Sequence, residues 1–358
     1  MKKMICILMC IALLLLSGCG GIYDNCRDVE QLLVAETLGL DYIPGGVRVS
    51  CASSMGSREP VQLSGVGVTI EAALENIRNR RREHSLFVRH TEHIIVGEEA
   101  ARRGMEDILE YICRSPDMRI DTPLYILRGN DASALISGAG DISRIMDGIS
   151  DYPDGALRST ASDILGDTLH RSGALVGTLE LSRSSGGSDE ITALPSGSAV
   201  IRDDRLCAFL DAGETLGASF LANRVNGGTL TVSDSRTGTV SLSVTDGGCD
   251  IYPILSEAGE LTGISVSARL SAAVSEIDGG VAAGSAVYMR RLTDLTEELL
   301  SEKINSVLRL AASLGTDFLG LGERMGREEE FVRLLPALEM QVTVNAALSH
   351  TNDMRDSV

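Results

Sequence analysis

Apolar and polar positions along the first half of the chain alternate between strand and helix periods. Residues 47–50 and 61–68 have strand patterns, and residues 69–82 then place apolar side chains at helical spacing. A stronger helix is predicted over 98–113, because acids occupy its first turn and its apolar residues form one stripe. Further elements are predicted as strands at 93–96, 118–127 and 175–181, and as helices at 132–136 and 159–171.

The second half of the chain has mostly strand patterns. It follows a stretch rich in Ser and Gly, 184–198, which predicts a linker or a long exposed loop. The longest helix is predicted over 294–314, where Asp294 and Glu297 have capping-box spacing. The other predicted elements are strands at 198–201, 206–210, 229–232, 239–244, 263–270 and 338–346, and a helix at 213–223.

This order of elements predicts an α+β protein with two to three α/β modules. We expect an N-terminal α/β region at 19–183, made of one or two modules, and a linker at 184–198. A C-terminal α+β domain at 199–358 should contain a mixed or antiparallel sheet and one long helix. The length of 358 residues agrees with this division, because a single hydrophobic core rarely grows so large.

The first residues of the chain predict export and lipid attachment. Two lysines precede the apolar run 4–16, which is too short to span a bilayer core of roughly 30 Å but suits a signal peptide. The segment 16–19, LSGC, has the form of a bacterial lipobox. We therefore expect residues 1–18 to be removed and the Cys19 thiol to carry acyl chains such as palmitate, which together anchor a protein stably. The alternative is a conventional secretory signal, which would leave Cys19 as a free thiol.

The composition excludes several classes of function. The chain has 32 basic and 50 acidic side chains, a net charge of −18, and this surplus of acid disfavours nucleic acid as a partner. It has 7 Tyr, 5 Phe and no Trp, so a surface for stacking bases or sugars is not expected. Anionic lipid heads would repel the acidic body, and the lipid on the cysteine must therefore supply the membrane attachment.

The cysteines and histidines do not predict a metal or redox site. Five cysteines remain beyond Cys19, an odd and scattered set without CxxC spacing, and their pairing stays open: Cys26, Cys51, Cys113, Cys207 and Cys249. Three histidines, His84, His90 and His93, lie near glutamates, but strand alternation would place His90 and His93 on opposite faces. We expect these histidines in loops or on the surface, with no bound metal.

No catalytic motif was found, and neither an enzymatic activity nor a cofactor is predicted. The glycine and serine clusters lack both the GxSxG pattern of a hydrolase and the lysine of a P-loop. The only dense basic run is 78–82, RNRRR. Its arginines either pair locally with Glu71 and Glu75 or form an interaction patch toward lipid heads or an acidic partner. The patch would consist of Arg78, Arg80, Arg81 and Arg82.

Seven segments in order resemble the Ger(x)C spore-germination lipoproteins, the C subunits of nutrient germinant receptors. They are the lipobox 16–19 followed by 27–29 (RDV) and 37–41 (TLGLD), then 86–107, 114–119, 199–217 and 317–322. The resemblance runs over nearly the whole chain beyond the signal. One departure is the lack of Trp, since Gly20 and Gly21 stand where that family usually has Trp after the lipidated cysteine.

The resemblance implies a lipoprotein on the outer face of the inner spore membrane. Such a subunit would have no catalysis and no cofactor, and it would act through contacts with integral membrane subunits to trigger germination. The resemblance supplies no agreed ligand-contacting residues. The alternative is a lipid-anchored extracytoplasmic solute-binding protein. That class usually has two βαβ lobes and an aromatic or charged pocket, and the low aromatic content of this chain speaks against it.

Overall fold

The computed structural model describes residues 32–53, 61–80, 85–151, 157–183, 191–225, 227–235, 238–278 and 286–350. Cys19, Cys26, Arg81, Arg82 and His84 lie outside these ranges, as does the stretch 184–190. The described residues contain a large mixed sheet built from the first 210 residues, a second sheet near the C-terminus and helices that cover both. The prediction of an α+β fold with more than one sheet is confirmed.

The large sheet has nine strands in the order β11-β10-β9-β7-β6-β2-β3-β4, with β8 pairing β7 at one side. Its central strands, β2, β6, β7 and β9, run parallel to one another, and antiparallel hairpins complete both ends. A separate parallel pair joins β1 to β5. The strands are β1 (Leu32–Val34), β2 (Thr37–Ile43), β3 (Gly46–Ser53), β4 (Val61–Gly67), β5 (Ser85–Phe87), β6 (His93–Gly97), β7 (Pro123–Arg128), β8 (Ser159–Thr160), β9 (Gly173–Arg183), β10 (Ile191–Arg202) and β11 (Arg205–Leu210).

Helices cover both faces of this sheet. They are α1 (Ile70–Arg80), α2 (Glu98–Arg103), α3 (Glu106–Arg114), α4 (Ala132–Gly138), α5 (Ile142–Asp151) and α6 (Ala161–Arg171). Helices α1, α2, α3 and α6 share one apolar cluster with the sheet, whereas α4 and α5 form another cluster around Tyr125 and Leu127. Because both faces are covered, central strand β6 is buried along its whole length and its sequence is almost continuously apolar.

The C-terminal sheet has the order β12-β13-β14-β15, and one long helix packs against it. Its last pair, β14 and β15, is parallel and the others are antiparallel, which confirms the prediction of a mixed sheet with one long helix. The elements are α7 (Ala212–Leu221), β12 (Thr229–Asp234), β13 (Gly238–Leu255), β14 (Leu261–Asp278), α8 (Ala286–Leu314), α9 (Leu321–Arg324), α10 (Glu328–Leu334), a 3-10 turn (Leu335–Ala337) and β15 (Glu339–His350).

Two sequence predictions about elements in the first half are wrong, and one helix was missed. The helix expected over 98–113 is two helices, because the backbone breaks at Gly104 and the N–H of Met105 donates to the carbonyl of Asp204 instead, at 2.8 Å. The strand expected from residue 118 begins at Pro123. Helix α5 was not predicted, although its buried residues Ile142, Met146 and Ile149 have helical spacing.

Two further corrections concern the second half. Residues 191–198, expected in a linker, belong to strand β10, because antiparallel pairing with β9 outweighs their turn-like composition; β11 pairs with β10 only from Ser198 onward. The domain division at 184–198 itself stays a prediction. The long helix begins at Ala286, before the expected capping box, so Glu297 lies inside the helix. Its carboxylate accepts a hydrogen bond from the N–H of Ala346 in β15, at 2.9 Å.

Candidate functional site

The basic run predicted as an interaction patch lies at the end of α1. Arg78 forms an ion pair with Glu71 at 2.6 Å, one of the two local partners expected for these arginines. Arg80 is exposed in the last turn of the helix. The other two members of the run, Arg81 and Arg82, lie outside the described residues, so the patch as a whole stays a prediction.

Glu71 joins this helix to a tyrosine across a groove. The hydroxyl of Tyr111 donates to the second carboxylate oxygen of Glu71 at 2.6 Å. Burial opposes ionisation of Glu71, but the hydrogen bonds from Tyr111 and Arg78 outweigh it and hold its pKa below the ordinary value. Burial and this same carboxylate raise the pKa of Tyr111, which therefore remains a hydrogen-bond donor at neutral pH.

The groove itself has a volume of about 570 Å³, within the range of sites that bind small molecules or short peptide segments. Tyr42 and Val47 of the sheet line it, with the start of α1 on one side and the end of α3 on the other. Burial raises the pKa of Tyr42 to about 12, with smaller contributions from Asp107 and Asp204, so its phenol also stays protonated. The groove therefore offers two neutral tyrosines beside apolar surface.

The rim of the groove is acidic and continues into an exposed sheet edge. Three carboxylates lie along it, Glu71, Asp107 and Glu110, and Arg114 pairs with Glu110 at 2.7 Å. Strand β4 is the last strand of the large sheet at this end. Val68 follows that strand in the wall of the groove and is 78% exposed. Exposed apolar side chains at an unpaired sheet edge are typical of surfaces that bind another chain.

The segment 37–41, TLGLD, has a structural role in β2. The side chain of Asp41 is 1% exposed and accepts hydrogen bonds from the N–H groups of Ala132 (2.6 Å) and Ser133 (2.9 Å) at the start of α4. Burial raises the pKa of Asp41, although these hydrogen bonds partly offset the effect. Gly39 lies beneath the same helix, where an added Cβ would approach Ile136 Cδ1 to 2.5 Å. The motif thus fixes α4 on the sheet.

The segment 317–322, DFLGLG, has a similar role after α8. The side chain of Asp317 is 3% exposed and accepts hydrogen bonds from the N–H groups of Leu321 (2.9 Å) and Gly322 (2.7 Å). Burial raises the pKa of Asp317, again against the effect of its backbone donors. Gly320 lies between Asp317 and these two N–H groups and adopts the left-handed backbone conformation that the turn requires, with φ of 70°. These acids are therefore anchors of the fold and do not face a ligand site.

The histidines are not all in loops or on the surface. His90 is exposed, as expected, but His93 is buried at the start of β6, so that part of the prediction is wrong. Burial holds the pKa of His93 below its ordinary value. The structure also brings His93 close to its neighbour Glu92 and to Asp147 of α5, a residue that the sequence did not connect with the histidines. Burial and the nearby carboxylates of Asp147 and Glu36 raise the pKa of Glu92.

The described cysteines are free thiols without the environment of a nucleophile. Cys51 and Cys249 are buried, Cys113 is half-buried and Cys207 lies at the surface. Burial raises the pKa of Cys51 to about 12, and it also raises the pKa of the other three thiols. Thiols with raised pKa values are poor nucleophiles.

No helix within the described ranges combines the length and apolarity needed to cross a bilayer.

Comparisons with known proteins identify the family. Residues 25–156 match the family model described as "Spore germination protein N-terminal domain", and residues 196–352 match "Spore germination B3/ GerAC like, C-terminal". No curated protein matches the sequence. The solved structure titled "Crystal Structure of the GerBC protein" has a similar fold, with a TM-score of 0.58 and 16% identity over 91% of this chain and 100% of that chain. The two family matches together cover most of the sequence, and the chain belongs to the Ger(x)C family of spore germination proteins.

Proposed function

We propose that this protein is the C subunit of a spore nutrient germinant receptor. It acts without catalysis, through contacts with the integral membrane subunits of the receptor, on the outer face of the inner spore membrane. The observation that carries this proposal is the presence of both germination-protein domains in order, at 25–156 and 196–352. The anchoring roles of Asp41 and Asp317 agree with it, because these acids hold the fold together and do not form a reaction centre.

The proposed membrane attachment is the lipid on Cys19. The lipobox supports it, and so does the acidity of the chain, since a body with 50 acidic and 32 basic residues has no electrostatic attraction to anionic lipid. Twelve residues separate Cys19 from Leu32, where the first described strand begins. A chain of this length spans at most about 45 Å, so the lipid can hold the body close to the membrane subunits.

The proposed contact surface is the groove between α1 and α3 together with the edge at β4. The occupant that we propose is an apolar segment of an integral membrane subunit that is flanked by basic residues. Its apolar part would cover Val68 and the tyrosines of the groove, and its basic residues would meet the carboxylates of Glu71 and Asp107. Among the described residues β4 has no strand on its outer side, and this edge offers backbone groups to the same segment.

The anchor is tested by replacing the cysteine. Cys19→Ala should release the protein from spore membranes into the soluble fraction and delay germination, whereas Cys26→Ala, a matched change outside the lipobox, should leave it membrane-bound. Fractionation and immunoblotting provide the measurement, with germination followed by loss of optical density. A Cys19→Ala protein that stays on the membrane in spores with normal germination would contradict the anchor.

The contact surface is tested by co-purification from detergent-solubilised spore membranes. Val68→Glu places a charge in the wall of the groove and should abolish recovery of the polytopic subunits. Val287→Glu is the matched control, because Val287 is 81% exposed on α8, a helix that packs on the C-terminal sheet and does not line the groove. Equal recovery of the membrane subunits with both variants would exclude the groove as the contact surface.

The second candidate function is solute binding, and the size of the groove with its tyrosines Tyr42 and Tyr111 favours it. Calorimetry of the soluble 20–358 chain against nutrients separates the two functions. Micromolar binding by this subunit alone, lost in Tyr111→Ala, would support a solute-binding protein. Absence of binding together with co-purification of the membrane subunits would support the receptor subunit.

A further inference from the structure

Three potential metal ligands converge where the chain enters β6. Glu92 and His93 precede and begin this strand, and Asp147 comes from α5, on the face of the sheet opposite α1 and α3. One ligand atom from each side chain lies within 4.8 Å of those of the other two. We propose that Glu92, His93 and Asp147 bind a divalent transition-metal ion such as Zn²⁺.

The backbone that carries the first two ligands is held firmly. The carbonyl of Glu36 accepts hydrogen bonds from the N–H groups of both Glu92 (2.7 Å) and His93 (3.2 Å). One residue earlier, the hydroxyl of Thr91 donates to the carbonyls of Ala35 (3.0 Å) and Val88 (2.8 Å). The turn is therefore fixed from both sides, and little conformational freedom is lost when its side chains take an ion.

The third ligand reaches the same place because of how α5 packs. Met146 and Ile149 are buried against the sheet, which fixes the rotation of the helix. Ser143 lies four residues before Asp147 and so on the same helix face. Its hydroxyl donates to the carboxylate of Glu36 at 2.6 Å, which holds that face against the turn with Glu92.

The donor set decides the class of ion. An imidazole together with carboxylates suits Zn²⁺ or Mn²⁺, whereas Ca²⁺ and Mg²⁺ prefer oxygen ligands alone. Ligand atoms around one Zn²⁺ lie about 2.0–2.2 Å from the ion and so at most about 4.4 Å apart. Glu92 and Asp147 are exposed and free to rotate by the small amount required, while the buried imidazole of His93 provides the fixed ligand. Solvent would complete the coordination.

Such an ion would fasten α5 to the connection between β5 and β6. The sequence argument missed the site for two reasons. Strand alternation was applied to residues 90–93, of which only His93 lies in β6, and the helix that carries Asp147 was not predicted. The site belongs to the face of the sheet away from the groove, so the inference does not rest on the proposed function.

The experiment is titration of the purified full chain with Zn²⁺ by calorimetry, and with Mn²⁺ by electron paramagnetic resonance, since Mn²⁺ avoids the free thiols. We expect one ion per chain, with affinity at least tenfold lower in Asp147→Asn and Glu92→Gln. These two side chains are exposed, so both variants should fold, and His93→Gln should weaken binding most. Asp117→Asn, the same change at an exposed aspartate outside the site, should bind as the unchanged protein does. Absence of saturable binding, or equal affinity in Asp147→Asn and Asp117→Asn, would overturn the proposal.

Discussion

Two buried aspartates, one in each half of the molecule, make the same local contact over very different distances along the chain. Asp41 accepts hydrogen bonds from two consecutive N–H groups that lie 91 and 92 residues away, at the start of α4. Asp317 does the same with N–H groups 4 and 5 residues away, at the start of α9. The first contact exists only when helix and sheet have packed together, whereas the second closes a loop.

This difference indicates which part of the structure is stabilised by each of the segments 37–41 and 317–322. Around Asp41, the helix lies flat on the sheet, with Ala132, Leu135 and Ile136 all buried. Helix α9 has only four residues and belongs to a connection between larger elements. Loss of the first aspartate should therefore disturb tertiary packing, and loss of the second should disturb mainly one turn.

The largest expected effect comes from removing these carboxylates. Asp41→Ala leaves two buried N–H groups without an acceptor on a helix that cannot move away, and we expect a loss of about 3 kcal/mol of unfolding free energy. Asp317→Ala should cost about 1.5 kcal/mol, because the short α9 can rearrange toward other acceptors.

Urea denaturation measures the loss of unfolding free energy for both variants. The Asn variants are the controls, since an amide keeps one acceptor oxygen and should lose less. Equal losses for the two Ala variants would contradict the comparison.

Replacing the glycine of each motif, Gly39 or Gly320, by Ala should reduce stability for a different reason, so different second changes should restore it. Gly39→Ala should cost about 2 kcal/mol through overpacking, because its Cβ would lie 2.5 Å from Ile136 Cδ1 and 3.1 Å from Ala132 Cβ. Gly320→Ala should cost about 1 kcal/mol through its left-handed backbone, with φ of 70°, and its added Cβ would also displace the Arg171 side chain, whose Nε would lie 2.8 Å away. Thermal unfolding of each variant gives the size of the effect.

Compensating changes separate the two causes. Ile136→Val removes the methyl group that the new Cβ of Gly39→Ala would meet, and the double variant should recover part of the lost stability. Asn tolerates the left-handed region better than Ala, so Gly320→Asn should be more stable than Gly320→Ala. If Ile136→Val gave no recovery, close approach of α4 would not be the reason for Gly39.

The sequence indicates much of the fold but not these long-range contacts. Strand β6 and the hairpin of β10 and β11 follow from local patterns, and the turn between that pair has positive φ at Asp203 and Asp204. Nothing near Asp41 in the sequence indicates that its partners lie in α4. A buried carboxylate in an apolar strand is a signal of such a contact, because it must find donors elsewhere.

Local composition was misleading where tertiary pairing decides the structure. Residues 191–198 look like a linker, but β9 supplies antiparallel partners along this part of β10. Asp147 likewise becomes a candidate metal ligand only because the fold brings α5 close to Glu92 and His93. The sequence motifs pointed to the family, whereas the groove and the metal ligands depend on which elements meet in space.

A smaller effect is expected where the two halves touch. Arg171, in the last turn of α6, donates to Glu323 of α9 at 2.6 Å and pairs with Asp167 at 2.9 Å. A double-mutant cycle of Arg171→Ala and Glu323→Ala should give a coupling of about 0.5–1 kcal/mol, since both side chains are partly exposed. The coupling should decrease in 1 M salt. The pair of Arg119 and Asp121, which lies within one half, is the control. A coupling energy for Arg119 and Asp121 larger than that for Arg171 and Glu323 would indicate that the contact between the halves adds no particular stability.

The smallest expected effect is a pH dependence that differs between two glutamates, one in each half. Burial opposes ionisation of Glu98, but the N–H of Gly129 and the guanidinium of Arg102 outweigh it and lower the pKa of Glu98. Hydrogen bonds from Arg327 and the N–H of Leu261 lower the pKa of Glu330, which is half-buried. A lowered pKa in the folded protein gives stability above the unfolded pKa, and this stability is lost as the pH falls through the folded value.

The unfolding free energies of Glu98→Gln and Glu330→Gln, measured in urea at pH 7 and again near pH 3.5, test this difference. At pH 7 we expect Glu98→Gln to be less stable than the unchanged protein by about 0.5 kcal/mol, a small value because solvent screens the partly exposed carboxylate. That deficit should be smaller near pH 3.5 and should vanish once the pH has fallen through the lowered pKa of Glu98, where the carboxyl group of the unchanged protein is also neutral. Glu330→Gln should show the same sign with a smaller amplitude, because its side chain is more exposed than that of Glu98, 27% against 19%. A deficit for Glu98→Gln that persisted at low pH would mean that its shape, and not its charge, stabilises the start of α2.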